Sequence, residues 1–250
     1  MHKNPLISVI TVCYNSAEML QRTIKSLRIQ TYKEIEYIVI DGASKDNTLQ
    51  VIKENQDIIN LWISEPDNGL YFAMNKGLEL ANGDYVIFIN AGDMFYSPET
   101  LEKIFANHQD DIDIYYGDTM ILAENLKELG SRRLTPPKHL TKNSFRWGMT
   151  VCHQSIFIKR SIAPKYDTSY RITADYDWVL SSIENAKKIV NTKQYISKFL
   201  SGGLSSKHIM KANKERFRIM IKHYGLITAL WYNFLMLFRL IITYIRKGRL

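Results

Sequence analysis

Cysteine is scarce: the 250 residues hold two, Cys13 and Cys152. Each sits in an apolar run without metal-type spacing. A disulfide framework and a cysteine metal site are thereby excluded, and both read as reduced core thiols of a cytosolic protein. Glycine-rich phosphate loops are absent too. The first apolar run leads to Tyr14-Asn15-Ser16, with no G-x-G-x-x-G and no G-x-x-x-x-G-K-[ST]. That disfavours a dinucleotide dehydrogenase and a P-loop enzyme. Any bound phosphate must then be neutralised by a metal and side chains. The opening run ends by Cys13, too short and too poorly flanked for a signal peptide. Repeats, low-complexity tracts and linkers are missing.

Acidic residues are scarce near the C-terminus, where Lys207, Lys211, Lys214, Arg216, Arg218, Lys222, Arg239, Arg246, Lys247 and Arg249 gather much of the +8 net charge. Such a balance favours anionic partners: nucleotide phosphates, an acidic membrane surface or nucleic acid. Nucleic acid is the weakest of these, because the basic residues lack interleaved aromatics outside the apolar tail.

Hydrophobic residues make up 46% and charged residues 23%. Those proportions give a sizeable core in one large domain, or one domain plus a tail. Buried strands are predicted over 6–13, 36–40, 61–64 and 85–89, alternating with helices over 16–30, 48–55 and 70–80. Asn15 with Glu18 resembles a capping box, Asp46 or Asn47 can cap the second helix, and Ser97-Pro98-Glu99 opens another. Alternation of this kind predicts an α/β fold with a mostly parallel, doubly wound sheet and flanking helices. The second half reads as strands over 113–122, 153–158 and 194–200, helices over 174–185 and 207–223, and a polar loop over 130–143.

Asp41, Asp67 and Asp93 each follow a predicted strand, and Asp175 with Asp177 forms a further acidic cluster. Open α/β sheets bind ligands beyond the carboxyl ends of their strands. Carboxylates there hold a hard cation on phosphate oxygens, or accept hydrogen bonds from sugar and base. Taken singly, each Asp is as readily a turn former.

The segments ISVITVCYNS, YIVIDGASKDNT, SEPDNGLYFAMNKGLELANGDYVIFINAGD, HQSIFIKR and TADYDW resemble family 2 glycosyltransferases of the GT-A type, over roughly residues 6–205. They look most like the branch that builds bacterial O-antigen and capsule. The resemblance implies an inverting transfer from a nucleotide-diphosphate sugar, UDP by family frequency, onto a lipid-linked saccharide. It implies a donor site including Thr11, Tyr14, Asn15, Asp41, Asp67, Asn75, Lys76 and Asn90. Asp93 matches the last acid of the D-x-D metal element, which here reads Asn90-Ala91-Gly92-Asp93, so Mn or Mg is the implied cofactor. His208 is a further candidate for the metal or diphosphate. Asp175 or Asp177 matches the catalytic base, and Ala174 stands where many relatives carry Glu. His153, Gln154 and Trp147 are implied on the acceptor side, and Ser201-Gly202-Gly203 resembles a loop near the site. Without the resemblance, His153 reads as a core histidine and Trp147 as core packing.

The tail from 206 to 250 is expected as basic and apolar helices outside a catalytic domain over 1–205, itself split near 110 into nucleotide-binding and acceptor halves. Residues 225–245 approach the length of a membrane span, but Arg239 lies well inside. A helix lying on an anionic membrane surface is the favoured reading, at the cytoplasmic face of a bacterial inner membrane. Packing on the catalytic domain or on a second copy as a homodimer, and a true span, are the alternatives. A nucleotidyltransferase would need a phosphate loop that is absent. An inactive sugar-nucleotide-binding partner is kept open by Ala174 and Asn90.

Overall fold

The computed structural model describes residues 4–200 and 208–247; Ser201-Gly202-Gly203 lies outside them. The chain runs β1 (Ile7–Cys13), α1 (Ala17–Arg28), β2 (Ile35–Asp41), α2 (Thr48–Glu54), β3 (Leu61–Ser64), α3 (Leu70–Leu80), β4 (Tyr85–Phe88), β5 (Met94–Phe95) and α4 (Thr100–Phe105). It continues through β6 (Ile114–Leu122), β7 (Glu128–Ser131), β8 (Ile156–Lys159), α5 (Ala174–Asn185), β9 (Ile189–Leu200), α6 (Ile209–Tyr224) and α7 (Leu226–Lys247).

The strands form one sheet ordered β3-β2-β1-β4-β8-β6-β9-β5, with β7 on β6. β3, β2, β1 and β4 are parallel, as helical crossovers require. Beyond β4 the sheet is mixed: β8 is antiparallel to both β4 and β6, while β9 runs parallel to β6. Chain order reverses at the β1–β4 pair, and ligands of such sheets sit at that switch point. The apolar strands are buried on both faces. Ile10, Ile38, Val86 and Phe88 face the layer of α3, α5 and α6, whereas Val9, Tyr37, Val39 and Ile87 face the layer of α1 and α4.

Several local expectations need correction. Asn15 and Glu18 form no capping box. Asn15 takes a φ of 46° and Glu18 pairs with Arg22 one turn on, while the N-cap residue Ser16 makes no capping bond. At α2 it is Asp46 whose carboxylate accepts the Thr48 N–H, at 2.9 Å. The expected strand over 153–158 begins as a 3₁₀ turn, His153–Ser155, before β8. The expected loop at 130–143 starts inside β7.

α6 does not stand apart from the catalytic fold. Ala212, Glu215, Ile219, Met220 and His223 are buried, and Lys222 and His223 pair with Asp177 of α5. α7 packs one face, Ala229, Tyr232 and Asn233, inward. The packing alternative therefore holds for that face. Among the described residues no helix is long and apolar enough to cross a membrane.

α3 lies close against β1 because position 77 has no side chain. A Cβ there would stand 2.4 Å from Ile10 Cγ2. Gly77→Ala should destabilise the protein: overpacking of about 1–3 kcal/mol exceeds the roughly 1 kcal/mol an alanine adds to a helix. A urea midpoint equal to or above wild type would contradict this close packing.

Candidate active site

Each parallel strand delivers its following loop to the same edge of the sheet. Asp41 ends β2 opposite Cys13, wholly buried. Its carboxylate accepts the Ser44 N–H at 3.0 Å, the Ser64 hydroxyl at 2.6 Å and the Ser44 hydroxyl. Asn15 Oδ1 accepts the Lys45 N–H at 2.8 Å, and the Asn15 N–H donates to Ser44 Oγ at 2.8 Å. These two residues tie the loops after β1, β2 and β3 into one floor. On that floor a methyl at Gly42 would lie 3.3 Å from the Tyr14 ring and 3.6 Å from Asp67 Oδ2. Tyr14 is mostly exposed, and its ring and the Asp67 carboxylate both lie close to the Gly42 backbone. Lys76 Nζ donates to Asp67 at 2.7 Å and to Glu65 at 2.7 Å, which balances its charge within the protein. Asp67, Asn75 and Lys76 line a cleft of about 340 Å³, within the size range of small-molecule sites.

Two expected donor residues are occupied elsewhere. Thr11 is a core residue: its hydroxyl donates to Ile89 O at 2.6 Å and accepts from Tyr37 OH at 3.1 Å, with no exposure. It cannot touch a ligand. Asn75 clamps the Tyr166 backbone with both amide atoms, at 2.9 and 2.7 Å, and so ties α3 to the segment before α5.

The second cluster lies where β4, the 153–155 turn and α5 meet. His153 is buried. Its Nδ1 stands 3.3 Å from Asp175 Oδ2 and its Nε2 stands 3.2 Å from Asn90 Nδ2. In the neutral tautomer that accepts the Asn90 amide at Nε2, the ring proton sits on Nδ1, facing the carboxylate. Among the described residues Asn90 Oδ1 is buried without a hydrogen-bond partner. Gln154 Nε2 donates to Asp93 Oδ2 at 3.0 Å. Gly92, at a φ of 100°, lets the chain turn between Asn90 and Asp93.

Burial works against ionisation of Asp175, but the His153 hydrogen bond and charge outweigh it and hold the carboxyl below its ordinary value. Tyr71 OH also reaches Asp175 Oδ1 at 3.4 Å. Asp93 goes the other way. Burial pushes it from 3.8 up to about 6, and the Gln154 bond and nearby His153 only partly oppose the shift.

Asp177 points away from the His153–Asp175 cluster. Successive helical residues turn by about 100°, so positions two apart point to nearly opposite sides. Asp177 faces α6, buried against Lys222 Nζ and His223 Nε2, each at 2.9 Å. Trp147 is half exposed and meets Tyr232 of α7 edge-on, with centroids 5.0 Å apart. His208 is exposed at the N-cap of α6. Among the described residues no group of three or more His, Cys, Asp or Glu gathers as a ready metal cage. Tyr71 and Glu215 were not read from the sequence. Tyr71 carries no local signal, whereas Glu215 is the sole acid among the basic residues of the last fifty positions.

Residues 8–166 match the pattern of glycosyl transferase family 2. The chain belongs to that family. An uncharacterised glycosyltransferase of Mycobacterium tuberculosis is 33% identical over 187 residues, 72% of this chain and 70% of that protein. A PGL/p-HBAD biosynthesis glycosyltransferase of Mycobacterium bovis is 28% identical over 230 residues, 85% of this chain and 84% of that one. The fold is that of Staphylococcus aureus TarS residues 1–349, crystallised with UDP: TM-score 0.67 at 18% identity, covering 87% of this chain and 66% of that one. A mannosyltransferase of Pyrobaculum calidifontis, crystallised with GDP-Man and Mn²⁺, gives a TM-score of 0.63 at 14% identity, covering 100% of this chain and 77% of that one. These likenesses establish the GT-A architecture that the resemblance implied.

Asp93 makes a pH prediction for the ligand-free protein. A carboxyl with a raised folded pKa favours the protonated state, so its contribution is full below about pH 4 and is lost as pH rises through about 6. Asp93→Asn removes that loss. It should be more stable than wild type at pH 7.5, by on the order of 2–3 kcal/mol, and equal to it near pH 4. Parallel stability curves for the two proteins across this range would show that Asp93 is not held in an ionisation-resistant setting.

Proposed function

We propose that the chain is an inverting glycosyltransferase that moves a sugar from a nucleotide-diphosphate donor, a UDP-sugar, to a hydroxyl of a lipid-linked saccharide in bacterial surface polysaccharide synthesis of the O-antigen or capsule kind. The observation that carries this reading is Asp175: ionised, reachable, and aimed by His153 beside the Asn90–Asp93 turn. A carboxylate in that state can take the proton of an acceptor hydroxyl. The hydroxyl oxygen attacks the anomeric carbon from the face opposite the phosphate. The carbon–oxygen bond to phosphate breaks, and the nucleoside diphosphate leaves with the electron pair. One displacement inverts the centre, and no covalent sugar intermediate is required.

Tyr14 and Asp67 suit a nucleoside, a ring to stack and a carboxylate to accept its hydrogen bonds. Asp93 and the unpartnered Asn90 Oδ1 are hard oxygens on one turn, so they fit Mn or Mg once a diphosphate adds further oxygens. Such a cation, when bound, supplies charge stabilisation for the leaving group. The UDP in TarS and the Mn²⁺ in the mannosyltransferase support these choices of ligand. The PGL/p-HBAD relatives support a lipid-borne acceptor.

The partner surface is an anionic membrane, at the cytoplasmic face of the inner membrane. Ile227, Leu230, Trp231, Phe234 and Phe238 are exposed along one stripe of α7, opposite buried Ala229, and the three aromatic rings stack in sequence. Residues 201–250 hold ten Lys and Arg against one Glu. A second copy would meet this surface with like charge, whereas anionic headgroups complement it. On the inward side Tyr232 touches Trp147 and Arg146, so the stripe adjoins the loop expected to face the acceptor.

Asp175→Asn should lower kcat by about 10²–10⁴-fold while nucleotide binding persists. Thermal shift with UDP, GDP, CDP and TDP, with and without Mn, is the direct check of the donor site. A ligand at about 100 Kd should add roughly 2.7 kcal/mol. No shift with any nucleotide, or full activity in Asp175→Asn, would sink the reading. Trp231→Glu with Phe234→Glu alters only exposed side chains. The pair should abolish sedimentation with phosphatidylglycerol vesicles, and undiminished binding would remove α7 as the contact.

A further inference from the structure

The turn that leads into α5 carries backbone donors that need a partner. The turn before the helix, Arg171-Ile172-Thr173, points three backbone N–H groups to one side, and Thr173, the N-cap residue of α5, makes no side-chain capping bond of its own. The acceptor comes from another helix. Glu215 of α6, buried, receives the Arg171 N–H on Oε1 at 2.9 Å. Its Oε2 receives the Ile172 N–H at 2.9 Å, the Thr173 N–H at 3.0 Å and the Thr173 hydroxyl at 3.2 Å. Four donors on two oxygens match the lone pairs of an ionised carboxylate and exceed those of an amide oxygen. Burial opposes this charge, but the three backbone N–H groups and the Thr173 hydroxyl hold the carboxyl below its ordinary value.

The loop so held leads to Asp175 two residues on. It also reaches Asp175 through a side chain: Ile172 O accepts Tyr71 OH at 2.8 Å, and the same hydroxyl stands 3.4 Å from Asp175 Oδ1. The opposite side of the same helical turn is pinned to α6 by Asp177, Lys222 and His223. Glu215 is not a surface counter-charge for its basic neighbours, since it is turned inward, away from exposed Lys211, Lys214 and Arg218.

We infer that Glu215 is a positioning residue, whose carboxylate fixes the 171–173 turn and thereby the aim of Asp175 at the acceptor hydroxyl. The inference rests on Asp175 being the base. A misplacement of about 1 Å at a reacting group costs on the order of 10²-fold in rate.

The test uses the full chain, as Glu215→Gln and Glu215→Asp, with three readouts. Amide hydrogen exchange at residues 171–173 reports the turn itself and needs no activity. UDP titration by calorimetry reports the donor site. Steady-state transfer reports kcat and KM separately. In Glu215→Gln the three amides should exchange faster and kcat should fall by about 10²-fold, with nucleotide Kd within about twofold of wild type. Glu215→Asp keeps the charge one methylene short and should recover part of that kcat. If Glu215→Gln does not fold, Glu215→Asp carries the test, with a lowered kcat at unchanged nucleotide affinity. Freed amides with wild-type kcat would overturn the inference. So would a parallel fall of kcat and nucleotide affinity, which marks general structural damage. Wild-type protein inactive with every donor would instead overturn the functional reading, and the role of Glu215 with it.

Discussion

An ionised carboxylate removed from water has to be matched by donors or cations, and the second half of this chain is arranged around that requirement. Asp175 is matched by His153, Asp177 by Lys222 and His223, Glu184 by Lys142 and His223, and Glu215 by three backbone N–H groups. Three of these acids gather at the start of α5, where the helix dipole also favours negative charge. Removing one partner would leave a buried charge uncompensated. The positions of α5, α6 and the 142–150 loop are therefore mutually determined. His153 extends the arrangement to Asn90 at the end of β4, so the parallel half of the sheet and the mixed half meet at a hydrogen bond as well as at the β4–β8 strand pair.

The parallel half was legible in the sequence because β1, β4 and most of β2 are buried on both faces and read as unbroken apolar runs. β3 and α3 fall where spacing and turn signals put them. The mixed half was harder. β5 has two residues and β7 four, too short for any period to show. The 153–155 turn carries apolar-flanked residues indistinguishable from a strand start. The expected capping box failed because Asn15 is drawn away to the Lys45 backbone, a partner thirty residues distant.

The candidate site was legible as a set of residue types rather than as an arrangement. Asp41, Asp67, Asp93, Asn90, His153 and Asp175 all sit at the switch-point edge. Only three-dimensional placement separates Asp175 from Asp177, because α5 turns one towards His153 and the other towards His223. Thr11 shows the converse limit: a polar residue inside a matching segment spends its hydroxyl on the core. Glu215 lies outside every matching segment, and no local pattern links it to a turn more than forty residues earlier.

Arg146 lies over the rings of both Tyr224 and Tyr232, 5.7 and 5.5 Å from their centroids, while its neighbour Trp147 meets Tyr232. The seating of α7 and the conformation of the loop that carries Arg146 and Trp147 are thus physically linked. Coupling of this kind is reciprocal. To the extent that a contact which seats α7 also orders Trp147, a contact which orders Trp147 favours the seated helix by that same amount. The outward and inward faces of one helix are then joined by a single coupling free energy, equal in both directions.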